Sequence, residues 1–189
     1  MSIGLLLIDI QNDYFIGGKM ELQGSGEAAR LARQLLAFFR QRQLPITHIQ
    51  HLSVRPGATF FTPETPGAEI YPVVKPLPGE MVIQKHYPNS FRETILLAHL
   101  QQAGIQRLVV AGMMTHMCVD ATVRAATDYG FDCRIVQDAC ATRSLDLGKY
   151  RVSASDVHVA FLAALNGTYG RVLTADAVLA ELQKEVERL

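Results

Sequence analysis

Short apolar runs alternate with longer amphipathic stretches along the whole chain, and this alternation limits the folds open to it. The apolar runs predict six strands, at residues 3–10, 46–52, 81–84, 106–111, 132–137 and 171–173. Helical periodicity predicts helices at residues 27–43, 91–103, 116–129 and 153–166, with Thr174 able to cap a last helix. Strands that alternate with helices form a mostly parallel sheet covered on both faces. The sequence therefore predicts an α/β fold of three layers, with the sheet between two layers of helices (α/β/α).

Composition narrows the class of protein. A chain of 189 residues with 49% hydrophobic and 19% charged residues is typical of a globular protein, and we expect one domain over residues 1–189. Eighteen basic residues balance eighteen acidic ones, so nucleic acid and anionic membrane are unfavourable partners. No apolar run reaches the roughly 18 residues of a membrane span.

The N-terminus and the cysteines bear on location. The first residues lack a basic region, and Asp9 interrupts their apolar run, which argues against a signal peptide. Three cysteines without a Cys-x-x-Cys pair argue against a disulfide framework or a zinc knuckle. We therefore expect a cytoplasmic protein with reduced thiols.

One segment breaks the alternation. Residues 53–80 contain six prolines and no clear periodicity. A loop of this length in a compact domain is often a functional lid or an interface arm, and it can equally be an ordered excursion over the surface. The sequence leaves both possibilities open.

Three chemically active side chains follow predicted strands. Asp9 closes the first strand, Lys85 the third, and Cys118 opens the helix after the fourth. Ligands of open parallel sheets bind beyond these carboxyl ends. Taken singly, the three could be a turn aspartate, a solvated lysine and a small core cysteine. A helix N-terminus favours the reactive thiolate, however, which singles out Cys118 over Cys133 and Cys140.

In its motifs and their order along the chain, the sequence resembles the isochorismatase-like cysteine hydrolases, the superfamily that includes nicotinamidase and N-carbamoylsarcosine amidase. The resemblance spans nearly the whole chain and rests on residues 7–13 (LIDIQND), on Lys85 with 89–91 (NSF), and on 112–122 (GMMTHMCVDAT). It implies a six-stranded parallel sheet in the order 3-2-1-4-5-6 and a homo-oligomer. It also implies an Asp9-Lys85-Cys118 catalytic triad and a cis peptide between Met113 and Met114.

The resemblance implies a mechanism for cleaving a C–N bond. Cys118 attacks a carbonyl carbon, and the amides of Met114 and Cys118 form the oxyanion hole. Asp9 shuttles the proton, while Lys85 stabilises negative charge. The substrate is then a small-molecule amide or ureide, and no cofactor is needed.

Nicotinamidases bind a metal through an Asp-x-His pair and a further histidine after the second strand. Here no aspartate stands two residues before His48 or His51, and the two histidines face opposite sides of an extended strand. We therefore predict no metal. Some isochorismatases lack the nucleophile because they cleave a vinyl ether by acid catalysis, so the presence of Cys118 favours C–N hydrolysis.

Several other residues are candidates for the substrate pocket. They are aromatic or histidine side chains near strand ends or in the long loop, with a core position as the alternative: Phe15, Phe60, Tyr87 and His116, together with Tyr14 and Phe61. His116 and His86 could also serve as the base of a Cys–His dyad. On a helix, however, His116 would point about 200° away from Cys118.

Two other functions stay open. One is an isochorismatase-type hydrolase that acts on another bond, and the other is a non-catalytic α/β binding module. Residues 11–18 contain neither a G-x-G-x-x-G nor a P-loop signature, which counts against a nucleotide-binding module.

Overall fold

The computed structural model describes residues 2–186 and contains a main sheet, a small hairpin and five α-helices. The strands are β1 Ser2–Ile8, β2 Ile46–His51, β3 Met81–Lys85, β4 Ile105–Met113, β5 Asp132–Ala141, β6 Leu145–Leu147, β7 Tyr150–Val152 and β8 Arg171–Leu173. The helices are α1 Ser25–Gln41, α2 Leu96–Gln102, α3 Asp120–Asp128, α4 Ala154–Leu165 and α5 Ala175–Val186.

The main sheet is parallel throughout, in the order β3-β2-β1-β4-β5-β8. This confirms the predicted order 3-2-1-4-5-6. Its sixth strand is the eighth of the chain because β6 and β7 form a separate antiparallel hairpin.

Both faces of the sheet are covered, as the continuous apolar strands require. On β1, Leu5 and Leu7 point into the core under α1 and α5. Leu6 and Ile8 point into the opposite core, under α2, α3 and α4. This alternation follows from the two-residue period of a strand, and it makes the three-layer α/β/α architecture.

The strand order reverses direction between β1 and β4, which lie side by side. Leu7 pairs with Ala111, and Ile8 pairs with Gly112. Gly112 has a φ of 142°, and a Cβ there would collide with the backbone of Ile8, so only glycine permits this approach. The chains that leave β1 and β4 therefore emerge next to each other.

Two predicted helices differ in the structure. The helix expected from residue 91 begins at Leu96, because Glu93 has a left-handed φ of 55° and Thr94 Oγ1 accepts a hydrogen bond from the Leu96 amide. The helix expected from residue 116 is replaced at its start by a π-helical turn, Thr115–Val119, before α3. Thr174 caps α5 as predicted, since its Oγ1 accepts from the Ala177 amide at 3.2 Å.

The long segment 53–80 is an ordered excursion that packs onto the body of the protein. Asp13 Oδ2 accepts a hydrogen bond from the Phe61 amide at 2.7 Å, and Gln11 Nε2 donates to the Ala68 carbonyl at 2.7 Å. Phe61 and Val74 of this segment are buried. Among residues 2–186, no helix combines the length and the apolar character that crossing a membrane would require.

Candidate active site

A buried ion pair lies where β1 and β3 end. Lys85 Nζ is 2.7 Å from Asp9 Oδ2, and neither side chain is accessible to solvent. Burial is the largest single influence and lowers the pKa of Lys85, but the negative charge of Asp9 and the hydrogen bonds to Asp9 and Cys118 together outweigh it, so that pKa is raised. Lys85 is therefore an ammonium whose charge stabilises the Asp9 carboxylate.

His51 completes this polar cluster at the end of β2. It pairs with Lys85 in the sheet register, and its Nδ1 lies 3.0 Å from Lys85 Nζ and 4.0 Å from Asp9 Oδ2. Burial, with the charge of Lys85 as a further cause, lowers the pKa of His51 to about 4. The imidazole is thus neutral near pH 7.

Cys118 lies in the π-helical turn that follows β4. The peptide between Met113 and Met114 is cis, as the resemblance implied, and the Met114 carbonyl accepts hydrogen bonds from the Met117 and Val119 amides. Interactions with both Asp9 and Lys85 act on the Cys118 thiol. The turn thus brings the sulfur to the ion pair.

The protonation state of Cys118 differs from the expectation of a thiolate. Burial is the main cause that raises the pKa of the Cys118 thiol, and the negative charge of Asp9 adds to it, whereas Lys85 opposes the shift. Cys118 is therefore a neutral thiol at neutral pH. A nucleophilic role requires a base next to it, and Asp9 is in position to be that base.

A cavity of about 460 Å³ opens onto Cys118. Most of its wall is apolar or aromatic, with polar groups from a few side chains. The lining residues are Tyr14, His51, Ser53, Val54, Arg55, Phe60, Phe61, His86, Tyr87, Pro88, Met114, Met117 and Cys118. The size suits a small organic molecule.

The comparison with protein families agrees with this geometry. Residues 4–177 match the isochorismatase domain model. The chain belongs to the isochorismatase family. Within the family it is 51% identical over 179 residues to YddQ, an uncharacterized isochorismatase family protein of Bacillus subtilis, with 95% of this chain and 99% of YddQ covered.

Other relatives extend this result to the fold and to hydrolases. The crystal structure of a candidate isochorismatase hydrolase from Oleispira antarctica has a TM-score of 0.91 and 46% identity, covering 95% of this chain and 96% of that one. The maleamate amidohydrolase of Pseudomonas putida is 28% identical over 193 residues, covering 95% of this chain and 86% of the enzyme. The isochorismatase family therefore includes hydrolases of C–N bonds.

Four of the six candidate pocket residues of this isochorismatase-family chain line the cavity, namely Tyr14, Phe60, Phe61 and Tyr87. Phe15 does not, because it turns into the core beside α1, where its ring stacks on Tyr71 with centroids 3.5 Å apart. His116 is also outside the cavity wall. Its Nδ1 shares a hydrogen bond with Thr142, as its position two residues from Cys118 on a helical turn allows.

The sequence pattern marks His51 only as a possible metal ligand, and its contact with Lys85 was not predicted. The available signal was its place at the end of β2, between β1 and β3, once the strand order is known. Ser53 and Arg55 in the cavity wall had no comparable signal, since the fold of residues 53–80 decides which of its side chains face the cavity, and Met117 faces it because of the π-helical turn.

The side chains of Asp9, His51 and Cys118 offer atoms within 4.8 Å of one another, a spacing that suits metal ligands. The ammonium of Lys85 already lies against two of them, so a metal cation would meet its positive charge. His48 bonds instead to Glu80 at 3.0 Å. The cluster is thus better suited to transferring protons than to holding a metal.

Proposed function

We propose that this protein is a cysteine hydrolase that cleaves the C–N bond of a small-molecule amide or ureide. The observation that carries the proposal is the buried Asp9–Lys85 ion pair, beside the thiol of Cys118 and at the wall of an apolar cavity. Together, Cys118, Asp9 and Lys85 supply a nucleophile, a base and a fixed positive charge in one place, which is what acyl transfer requires.

In the acylation half, Asp9 takes the proton from Sγ of Cys118 as the sulfur attacks the substrate carbonyl carbon. The C–N bond then breaks, and the protonated Asp9 returns the proton to the leaving nitrogen. Ammonia or an amine departs, and the acyl group remains on Cys118 as a thioester.

In the deacylation half, Asp9 removes a proton from water, and the hydroxide attacks the thioester carbonyl. The C–S bond breaks, the acid leaves, and the sulfur recovers the proton from Asp9. Lys85 keeps its proton throughout and stabilises whichever of Asp9 and Cys118 is negative.

The amides of Met114 and Cys118 are assigned to the oxyanion hole in this proposal. Both belong to the turn that carries the nucleophile, and amides that start a helical turn are available as donors. Donors fixed in advance stabilise the tetrahedral intermediate more than mobile water would. The similarity to an amidohydrolase supports the choice of a C–N bond. We also propose that the enzyme is a homo-oligomer.

The test is a screen for ammonia release from a panel of primary amides and ureides. We expect turnover by the wild type and by Cys133→Ala, which removes a buried thiol outside the cavity wall, and none by Cys118→Ala. Equal turnover by Cys118→Ala would refute the proposal. So would release of product from a vinyl ether substrate while all amides and ureides stay intact.

A further inference from the structure

Tyr14 places a hydroxyl group in the cavity wall without a partner. The residue is 1% exposed, and within residues 2–186 its hydroxyl makes no hydrogen bond. Its ring is held by Phe61, with centroids 4.5 Å apart. Burial is the main cause that raises the pKa of Tyr14, and the negative charge of Asp9 adds to it, so the hydroxyl stays protonated in the same cavity wall as Cys118.

His51 contributes a second donor to the same wall. The Lys85 ammonium has only hydrogens to offer, so Nδ1 of His51, 3.0 Å away, must accept. The proton of the neutral imidazole is therefore on Nε2, for which no partner exists in the described part of the chain. The rings of His51 and Tyr14 both adjoin Phe61, at 6.0 and 4.5 Å between centroids.

Two unpartnered donors in a largely apolar wall indicate what the cavity accepts. A buried donor left without an acceptor destabilises the complex, so an acyl group that is wholly apolar would leave both groups unsatisfied. Among residues 2–186, no aspartate or glutamate lines the cavity, so the acceptor for these two donors has to come from the ligand.

We infer that the cavity selects amides whose acyl group is apolar except for one hydrogen-bond acceptor, such as a carbonyl oxygen, held by Tyr14 Oη and His51 Nε2. Tyr14 and His51 are thus specificity-determining residues for the acyl group. The inference rests on the proposed function in assuming that the ligand is an amide substrate, but the hydrogen bond to its acyl group forms on binding and needs no reaction. It can therefore be measured without turnover.

The probes are hexanamide and its 3-oxo, 4-oxo and 5-oxo derivatives, which have one length and differ in whether and where they carry an acceptor. Binding to Cys118→Ala, which has no nucleophile, is measured by isothermal titration calorimetry. We expect at least one oxo derivative to bind about tenfold more tightly than hexanamide, the usual size of one good hydrogen bond. Tyr14→Phe in the same background should abolish most of that preference.

Tyr71→Phe is the matched control, since it removes a hydroxyl from a ring stacked on Phe15 outside the cavity wall. It should keep the preference. The inference is overturned if no oxo derivative is preferred, if the preference survives Tyr14→Phe, or if Tyr14→Phe weakens all four amides equally. Absence of ammonia release by the wild type would count against the proposed function and leave this binding result unchanged.

Discussion

Lys85 Nζ lies 2.7 Å from Asp9 Oδ2 at a point where neither side chain reaches solvent. Removing two charges from water is costly, and a buried ion pair often adds little to stability. Lys85 offsets part of this cost by donating to the Tyr87 carbonyl at 3.0 Å as well. The proposed catalytic role therefore explains the arrangement better than a contribution to folding does.

Asp9→Asn tests the role of this carboxylate. The amide keeps the shape of the side chain but cannot accept the proton of Cys118. Since general acid–base catalysis commonly contributes about 10²–10⁴-fold, kcat should fall by at least that factor. Steady-state kinetics on any amide that the wild type hydrolyses gives the answer, with circular dichroism to check that Lys85, now unpaired, has not unfolded the protein.

His116→Ala is the control for Asp9→Asn, because His116 bonds to Thr142 outside the cavity wall. It should change kcat and KM only modestly. A collapse of kcat in His116→Ala beside near-normal kcat in Asp9→Asn would transfer the base role to the histidine.

Limited alkylation tests which thiol can be activated. Burial raises the pKa values of Cys133 and Cys140 to about 12, and that of Cys118 is raised too, so thiolate character alone does not separate them. Only Cys118 of the three lines the large cavity beside Asp9. Iodoacetamide followed by peptide mapping should therefore modify Cys118 first, and Asp9→Asn should slow that reaction. Faster modification of Cys133 or Cys140, with activity retained, is the contrary result.

The sequence was sufficient for most of the fold because the strands are buried on both faces and read as continuous apolar runs. It placed Asp9, Lys85 and Cys118 at strand ends, and the order of strands brings those ends together. It could not supply the left-handed φ of Glu93, which shortens α2, or the π-helical turn at Thr115–Val119. Both are local backbone states that ordinary residues adopt under tertiary constraint.

The protonation state of Cys118 could not be predicted from the sequence for a different reason. A helix N-terminus favours thiolate, but the burial of the sulfur and its distance from the Asp9 carboxylate depend on how the elements pack. The packing of the elements also decides which side chains form the cavity wall. Phe15 and Phe60 look equivalent in the sequence, and the path of residues 53–80 determines that only Phe60 lines the cavity.

Glu80 anchors the end of the long segment and gives a pH-dependent stability. Burial opposes ionisation of Glu80, but hydrogen bonds from Arg40, the Leu77 amide and His48 outweigh it and lower its pKa to about 2. A carboxylate with a lowered folded-state pKa stabilises the fold above its ordinary pKa of about 4.5, and this stabilisation is lost as pH falls toward 2.

Glu80→Gln should therefore lower the free energy of unfolding by about 2–3 kcal/mol at pH 7 and by progressively less at pH 4 and pH 3. Urea denaturation at the three pH values measures this difference. Glu69→Gln, an exposed glutamate of the same segment, should have little effect at any of them. A Glu80→Gln effect that stays constant from pH 7 to pH 3 would mean that the charge of Glu80 contributes nothing.

In the proposed mechanism, the acyl group passes through a thioester on Cys118. The direct measurement is intact-protein mass spectrometry of acid-quenched turnover, followed by peptide mapping, with an amide found in the ammonia screen. The thioester mechanism predicts an added mass equal to the acyl group on the peptide that carries Cys118, absent in Cys118→Ala and formed far more slowly in Asp9→Asn. Turnover of the same amide by the wild type under rapid quenching, with no such adduct and with full activity in Cys118→Ala, would contradict it.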